Sequence, residues 1–346
     1  MNHRKPENNK LNITIGTRSE NPVYEQIKTA IQDSVDKGNL EEGATLPSIN
    51  RLSQFLGVAP GTVIRAYEEL RALGVITSSR GKGYFVAPVN HEMKQKVFVL
   101  FDRMNSYKEI LFDSFIEVLG QSADVSVFFH HYEIGRFQHL IRSNKGRFSR
   151  YVVMPHLYED TSRIISALPA KRLILIDGVA PGCPEGVSAV YQDFESDIYY
   201  GLSSGMASVS RYHRIRLCLS SSRFQFVPPG CIRGFQRFCS DFNLRGDVLS
   251  CLEDDMVTPG ELYIIFNDTE LIRVLNSAKE KGLTPGRDVG IISYDDTPLK
   301  EILEGGIAVL STDFRKMGQT AAEMVLGQTS GMIRNPFRLI VRPSLG

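Results

Sequence analysis

The 346 residues contain no run of about 18 apolar residues, so no segment is long and apolar enough to cross a bilayer as a helix. Cysteine is scarce and poorly arranged for structural chemistry. The five (Cys183, Cys218, Cys231, Cys239, Cys251) are odd in number, with no C-x-x-C pair and no zinc-like Cys/His spacing. That argues against a disulfide scaffold or a zinc ribbon and leaves reduced thiols in a reducing compartment. An excess of one charge is also missing: 40 Lys+Arg against 39 Asp+Glu give a net +1, so the molecule as a whole is neither a basic coat nor an acidic tail. There is no low-complexity tract and no short repeat. The opening "MNHRKPENNK" lacks the apolar stretch of a secretory signal, and the expected location is the cytoplasm. No Ser/His/Asp or metal-ligand constellation stands out. His130 and His131 are neighbours at a strand end, and adjacent strand residues face opposite ways, so no paired metal site is expected there. The chain is expected to be no enzyme and to use no metal and no cofactor.

What is present is a soluble composition, 42% hydrophobic and 23% charged, over a length that suits two or three domains. After a polar start, "NPVYEQIKTAIQDSVDKG" carries Val23, Ile27, Ile31 and Val35 at helical spacing, and Gly38 stops the pattern. "PSINRLSQFLG" and "APGTVIRAYEELRALG" are two further amphipathic helices. "VITSSRGKGYFV" then alternates about Arg80-Gly81-Lys82-Gly83, the mark of a tight hairpin. Pro88 and the polar run after it mark a linker, placed at 89–96, and residues 1–88 are expected to form an α+β first domain.

Helix, helix, Gly turn, helix and hairpin is the order of a winged helix-turn-helix, whose second motif helix enters the major groove. Val63, Ala66, Tyr67 and Leu70 make its inward stripe and leave Thr62 and Arg65 outward. Between Thr45 and Pro88, five Lys/Arg (Arg51, Arg65, Arg71, Arg80, Lys82) face two acids (Glu68, Glu69), an excess of three positive charges. The P-x-Y-x-Q-I opening, the L-P-S turn, T-V-x-R-A-Y-x-x-L and the R-G-K-G-Y wing together resemble the GntR-family winged helix over about 65 residues. The resemblance implies double-stranded DNA as partner and contacts from Ser48, Asn50, Arg51, Thr62, Arg65, Arg80, Gly81 and Lys82. Two departures stand out. Asn50 then Arg51 replace the family's Arg then Glu. Ala59-Pro60-Gly61 puts no polar side chain at the helix tip, which shifts recognition toward Arg65, the wing and DNA shape.

From Val97 the pattern becomes short apolar runs ("KVFVLF", "VSVFFH", "RYVVMP", "RLILIDG", "VSAVYQD", "IRLCLS", "VLSCLE", "LYIIFND", "VGIISYDD") alternating with helical stretches. Buried strands alternating with helices mean parallel sheets, and nine runs suit two α/β lobes better than one. No pyridoxal-type lysine motif is found. "VFVLFDRMNSYKEILFDSFIEVL", "IIFNDTEL", "DVGIISYDDTPL", "LSTDFRKMGQTAAEMVL" and "RLIVRPSL", in this order, resemble the two-lobed, periplasmic-binding-protein-like core of the LacI/GalR regulators. That implies an effector and dimerisation domain over 97–346, with lobes of about 97–190 plus 313–330 and 191–311 plus 331–346.

Ligands bind where the carboxyl ends of parallel strands meet. The resemblance places effector contacts at Asp102, Tyr107, Asp193, Arg233, Asn267, Asp295 and Phe314. Several have plainer readings: Asn267 as a helix cap three before Glu270, Asp295 as a turn or cap residue, Phe314 as core. Cys231 stands where the family usually carries an arginine or another ligand-binding side chain, and Arg233 would have to turn differently to replace it. The expectation therefore moves from a sugar acid or phosphate toward a neutral polyhydroxylated ligand. The reading is a homodimeric, sugar-responsive transcription factor on a roughly palindromic operator. Its alternatives are a nucleoside or amine effector, or a sugar-binding carrier or enzyme with a protein-binding first domain.

Overall fold

A computed structural model describes residues 13–16, 21–36, 38–87, 94–219, 226–250 and 256–346. The first domain opens with α1 (Val23–Asp36), followed by β1 (Thr45–Leu46), α2 (Ile49–Leu56) and α3 (Pro60–Ala72). Ser48 caps α2 by accepting from the Arg51 N–H, and Gly57 closes it in the left-handed conformation at φ 65°. The wing is β2 (Ile76–Ser79) and β3 (Gly83–Val86), with β1 on the outer side of β3, all antiparallel. Ile27, Ile31, Val63, Ala66, Tyr67 and Leu70 are completely buried in one core, so the inward stripe predicted for α3 is the face it buries.

The linker expected at 89–96 lies at 89–93 outside the described residues. Its last two positions are strand, because β4 (Gln95–Phe101) begins at Gln95. Then come α4 (Ser106–Leu119), β5 (Ala123–Phe129), α5 (Ile134–Asn144), β6 (Arg150–Val153), α6 (Ser162–Ile165), β7 (Leu173–Asp177) and β8 (Ser188–Tyr191). The chain crosses to the second lobe for α7 (Phe194–Ser204), α8 (Met206–Val209), β9 (Arg214–Cys218), α9 (Pro229–Asp241), β10 (Gly246–Leu249), β11 (Glu261–Ile265), α10 (Asp268–Glu280), β12 (Gly290–Tyr294), α11 (Pro298–Ile302) and β13 (Ala308–Thr312). It returns for α12 (Phe314–Val325) and β14 (Met332–Arg334), and crosses a third time to β15 (Phe337–Ile340).

Two six-stranded sheets result, ordered β14-β8-β7-β6-β4-β5 and β10-β9-β11-β12-β13-β15. Every pairing in them is parallel except β13 with β15. The strand at 332–334 pairs with β8, so it belongs to the first lobe and not, as the sequence reading had it, to the second. That stretch is too short to show periodicity, and only the partner strand decides its lobe. "VLSCLE" is strand only to Leu249, and 251–255 lie outside the described residues. The helices α4 and α12 cross so closely that a Cβ at Gly318 would lie 2.1 Å from the Leu111 carbonyl.

The first domain sits against the first lobe through the last turns of α1. Arg172 Nε donates to Asp36 Oδ1 at 2.7 Å, and each side chain is 10% exposed. The Gln32 amide, turned so that its oxygen accepts from Arg172, donates to the Gly146 carbonyl at 3.2 Å. Lys145 stands 3.6 Å from Asp33. Beside this cluster Arg150 donates from Nε to the Val325 carbonyl at the end of α12, the helix that follows a lobe crossing.

Candidate functional site

The α2, α3 and wing region of the first domain carries its cations at the surface. Arg51, Arg65, Arg71, Arg80 and Lys82 are all exposed. Of the two opposing acids, Glu69 is committed to the buried Lys28 at 2.7 Å. Asn50 is exposed near the start of α2 and Thr62 is half-buried in the first turn of α3. The helix tip is as bare as the sequence indicated: Ala59 makes no side-chain cap and Pro60 opens the helix. Gly81, at φ 76°, turns the wing between Arg80 and Lys82. Arg65 is not loose. Its guanidinium lies 3.7 Å from the Tyr24 ring centre, donates to the Tyr24 hydroxyl at 3.0 Å and pairs with Glu69 at 3.5 Å. The Tyr of the P-x-Y-x-Q-I opening is thus the platform that orients the recognition-helix arginine.

Between the two lobes lies a cleft of about 530 Å³, at the carboxyl ends of strands from both sheets. Its walls include Asp102, Tyr107, Asn267 and Asp295 of the expected set. Asp102 directly follows β4, fully buried and ion-paired to the equally buried Lys108. Burial opposes its charge, but hydrogen bonding from His156 and Lys108 outweighs that and holds the carboxyl well below the usual range. Asn267 does cap α10, accepting from Glu270 N at 2.8 Å, and lines the cleft as well. Asp295 sits just after β12 at φ 63°, half-buried as a residue. Its Oδ1 is sealed from solvent and makes no hydrogen bond among the described residues. Burial first, and the Asp177 carboxylate second, push its pKa up to about 8. The cap reading of Asp295 fails, because the residue preceding α11 in cap position is Thr297.

Three expected contacts fall elsewhere. Phe314 is buried under Tyr107, rings 4.4 Å apart, and borders a separate recess beside the β13 crossing. Packing of α12 onto α4 takes its ring into the first-lobe core. Asp193 caps α7 through Ser196 N at 3.3 Å and lines a second, more apolar recess of about 680 Å³. Arg233 borders that same recess, exposed and paired with Glu195 at 2.6 Å, so it does not take the place that Cys231 leaves empty of charge. Cys231 itself is completely buried beside the Tyr294 hydroxyl.

The cleft also holds residues that the sequence reading missed. His156 stands between two carboxylates, Nδ1 3.3 Å from Asp102 and Nε2 3.5 Å from Asp177. Asp177 ends β7 at φ 67° and accepts from Gln192 Nε2. Lys300 donates to the carbonyls of Tyr294 at 2.9 Å and Asp295 at 2.8 Å. Aromatic walls come from Tyr132, Phe194, Phe226, Phe266 and Tyr294, with Phe226 stacked on His156 at 5.1 Å. Asp177 could have been found by the rule that found Asp102 and Asp295, an acid directly at a buried strand's carboxyl end. His156 lies three residues past its strand and gives no such signal.

Comparison with known proteins matches these two parts separately. Residues 23–86 match the model of bacterial regulatory proteins, gntR family, and residues 232–345 that of the periplasmic binding protein-like domain. The HTH-type transcriptional repressor YtrA of Bacillus subtilis is 37% identical over 75 residues, 22% of this chain and 58% of its own length. YhcF of the same organism, an HTH-type transcriptional regulator, is 32% identical over 83 residues, 23% of this chain and 69% of its own. Coverage of other relatives' length runs down to 14%, so these likenesses concern the first domain. The rest of the chain has the fold of the trehalose repressor from Escherichia coli (TM-score 0.58, 16% identity, 71% of this chain and all of that one). A LacI family transcriptional regulator from Arthrobacter sp. FB24, solved with lactose, is similar (TM-score 0.57, 15% identity, 73% of this chain and all of that one). A cationic winged helix, a cleft between two parallel-sheet lobes and these matches lead to one conclusion: the chain belongs to the gntR family of bacterial regulatory proteins, with a DNA-binding helix-turn-helix domain joined to a periplasmic-binding-protein-like domain.

Proposed function

We propose that this protein is a ligand-controlled transcriptional regulator that reads a roughly palindromic operator as a homodimer and senses a small polyhydroxylated molecule, of the sugar class, between its lobes. The observation that carries the reading is the sealed, unpartnered oxygen of Asp295 in a cleft whose walls come from both lobes. A buried polar atom left without a partner costs about 1 to 3 kcal/mol, and a ligand that donates to it recovers that cost. The reader is assigned to residues up to 88 and the sensor to those from 95 on. Ser48, Asn50, Arg51, Thr62, Arg65 and the Arg80-Gly81-Lys82 wing meet DNA; Asp102, Tyr107, Asn267 and Asp295 meet the effector. Effector binding favours one closure of the lobes, and the population shift reaches the winged helices through the first lobe.

A thermal-shift screen against sugars and nucleosides, followed by gel shifts with and without each hit, tests this directly. A ligand at 100 times its dissociation constant adds about 2.7 kcal/mol to stability. Hits that leave the DNA complex unchanged would refute the regulatory reading.

Arg65→Ala is expected to weaken specific DNA binding by about 1 to 3 kcal/mol with ligand affinity unchanged. Unaltered affinity and sequence preference in a gel-shift titration would remove Arg65 from the interface. One winged helix supplies too little specificity for a genomic site, so sedimentation should find a dimer and footprinting two half-sites related by a two-fold axis. A monomer at micromolar concentration protecting one half-site would contradict both.

A further inference from the structure

Among the described residues, three acids of the cleft are ion-paired to a lysine or arginine, and Asp177 and Asp295 are not. Asp102 holds Lys108, Asp268 stands 3.3 Å from Lys300, and Glu270 stands 3.1 Å from Arg273. Lys300 is further tied to two main-chain carbonyls, as described above. Asp177 meets the Gln192 amide and stands 3.5 Å from His156 Nε2, and Asp295 Oδ1 has no hydrogen-bond partner among the described residues. These two carboxyls terminate β7 of the first lobe and follow β12 of the second, so they stand on opposite sides of the cleft. Both residues hold left-handed backbone, φ 67° and 63°, which non-glycine residues adopt at a cost and which concentrates at functional sites.

We propose that the effector carries a protonated amine, seated between Asp177 and Asp295, and is therefore an amino sugar or similarly aminated polyol rather than a neutral or acidic one. The inference rests on the sensing reading above and adds to it the class of ligand. Bringing two carboxylates together in a water-poor site is unfavourable unless a cation lies between them. A neutral hydroxyl can donate to Asp295, but it supplies no counter-charge that would let both carboxyls ionise together. An ammonium group supplies that counter-charge to both carboxyls, so it binds both lobes and favours their closure. Burial and Asp177 hold the Asp295 carboxyl protonated up to about pH 8, which an adjacent cation reverses and a neutral ligand does not. Phe226, Phe266 and Tyr294 line the same space and suit both a sugar face and an ammonium. Acidic effectors are disfavoured on the same ground.

The test is calorimetry on the full-length protein with D-glucosamine, D-galactosamine and D-mannosamine, each beside its parent hexose and its N-acetyl derivative, with putrescine as an amine that is no sugar. At least one amino sugar should bind about tenfold to a hundredfold more tightly than both its neutral counterparts. Asp177→Asn and Asp295→Asn should each reduce that preference, and their melting curves establish that they fold. Tighter binding of a neutral hexose, or a preference that survives both substitutions, overturns the amine assignment and leaves the sensing reading standing. Binding of putrescine alone overturns the sugar part, and no binding by any of the set overturns the whole inference. The sensing reading is decided apart from all of these, by whether a compound that raises the melting temperature alters the DNA complex.

Discussion

Asp295→Ala is expected to lose the response to effector while binding DNA as the parent does. The side chain's Oδ1 is buried without a partner, so the free protein gives up no hydrogen bond at that atom when it is removed. The complex does give one up. Charge-assisted hydrogen bonds are worth about 1.5 to 3 kcal/mol each, and losing one or two lowers affinity about tenfold to several thousandfold. Stability should move the other way as pH rises. The folded-state pKa is raised to about 8, against about 4 in an unfolded chain. Between those values the native protein holds a proton that the unfolded chain has released. The stabilisation linked to Asp295 is therefore complete below about pH 4 and is lost as pH climbs toward 8. Asp177 and Asp268 raise that pKa and Lys300 and Lys108 lower it, so all four belong in any account of the profile. The melting temperature of the mutant, relative to the parent, should accordingly be higher at pH 8 than at pH 5. A variant that melts several degrees below the parent at pH 8 yet binds ligand with parent affinity would show that the carboxyl serves the fold alone.

Arg172→Ala is expected to uncouple the two domains. Asp36 and Arg172 form a nearly buried pair, and removing one partner of such a pair costs about 3 to 5 kcal/mol because the other charge is stranded. Asp36 is already held above the ordinary carboxylate pKa by burial, against the pull of Arg172, and its Oδ2 has no hydrogen-bond partner. The loss falls on a junction between separately cored units, so it should undock α1 from the first lobe rather than unfold either. Effector affinity and DNA affinity should both survive, while the effect of one on the other declines. Gel shifts with and without effector measure that coupling, and faster hydrogen exchange in the last turns of α1 reports the undocking. Asp36→Arg combined with Arg172→Asp should restore part of it. Undiminished effector control in the single variant would rule out this contact as the route.

The first domain was legible because its information is local. The four buried residues of α3, the Ser48 cap, the Gly57 stop and the Arg80-Gly81-Lys82 turn are set by periodicity and backbone chemistry within a few residues. The alternation of buried strands with helices was equally local and gave the two α/β lobes. Strand ends led to Asp102 and Asp295, which line the cleft, since a parallel strand delivers the residues at its end to the edge of the sheet.

Tertiary structure decided what those rules leave open. Whether β14 joins the first sheet or the second depends on the strand it pairs with, because three residues carry no period. Phe314 and Arg233 occupy plausible positions in sequence, but the packing of α12 on α4 and the Glu195 ion pair direct them away from the cleft. His156 reaches Asp102 and Asp177 only because β4, β6 and β7 lie side by side, bringing together residues 54 or fewer positions apart in the chain. The sequence by itself determined the kind of protein and pointed to the winged helix and the cleft. Which side chains share the cleft, and which of its carboxylates lack a cation, was decided by how the lobes pack, since burial and pairing are properties of neighbours that are distant along the chain.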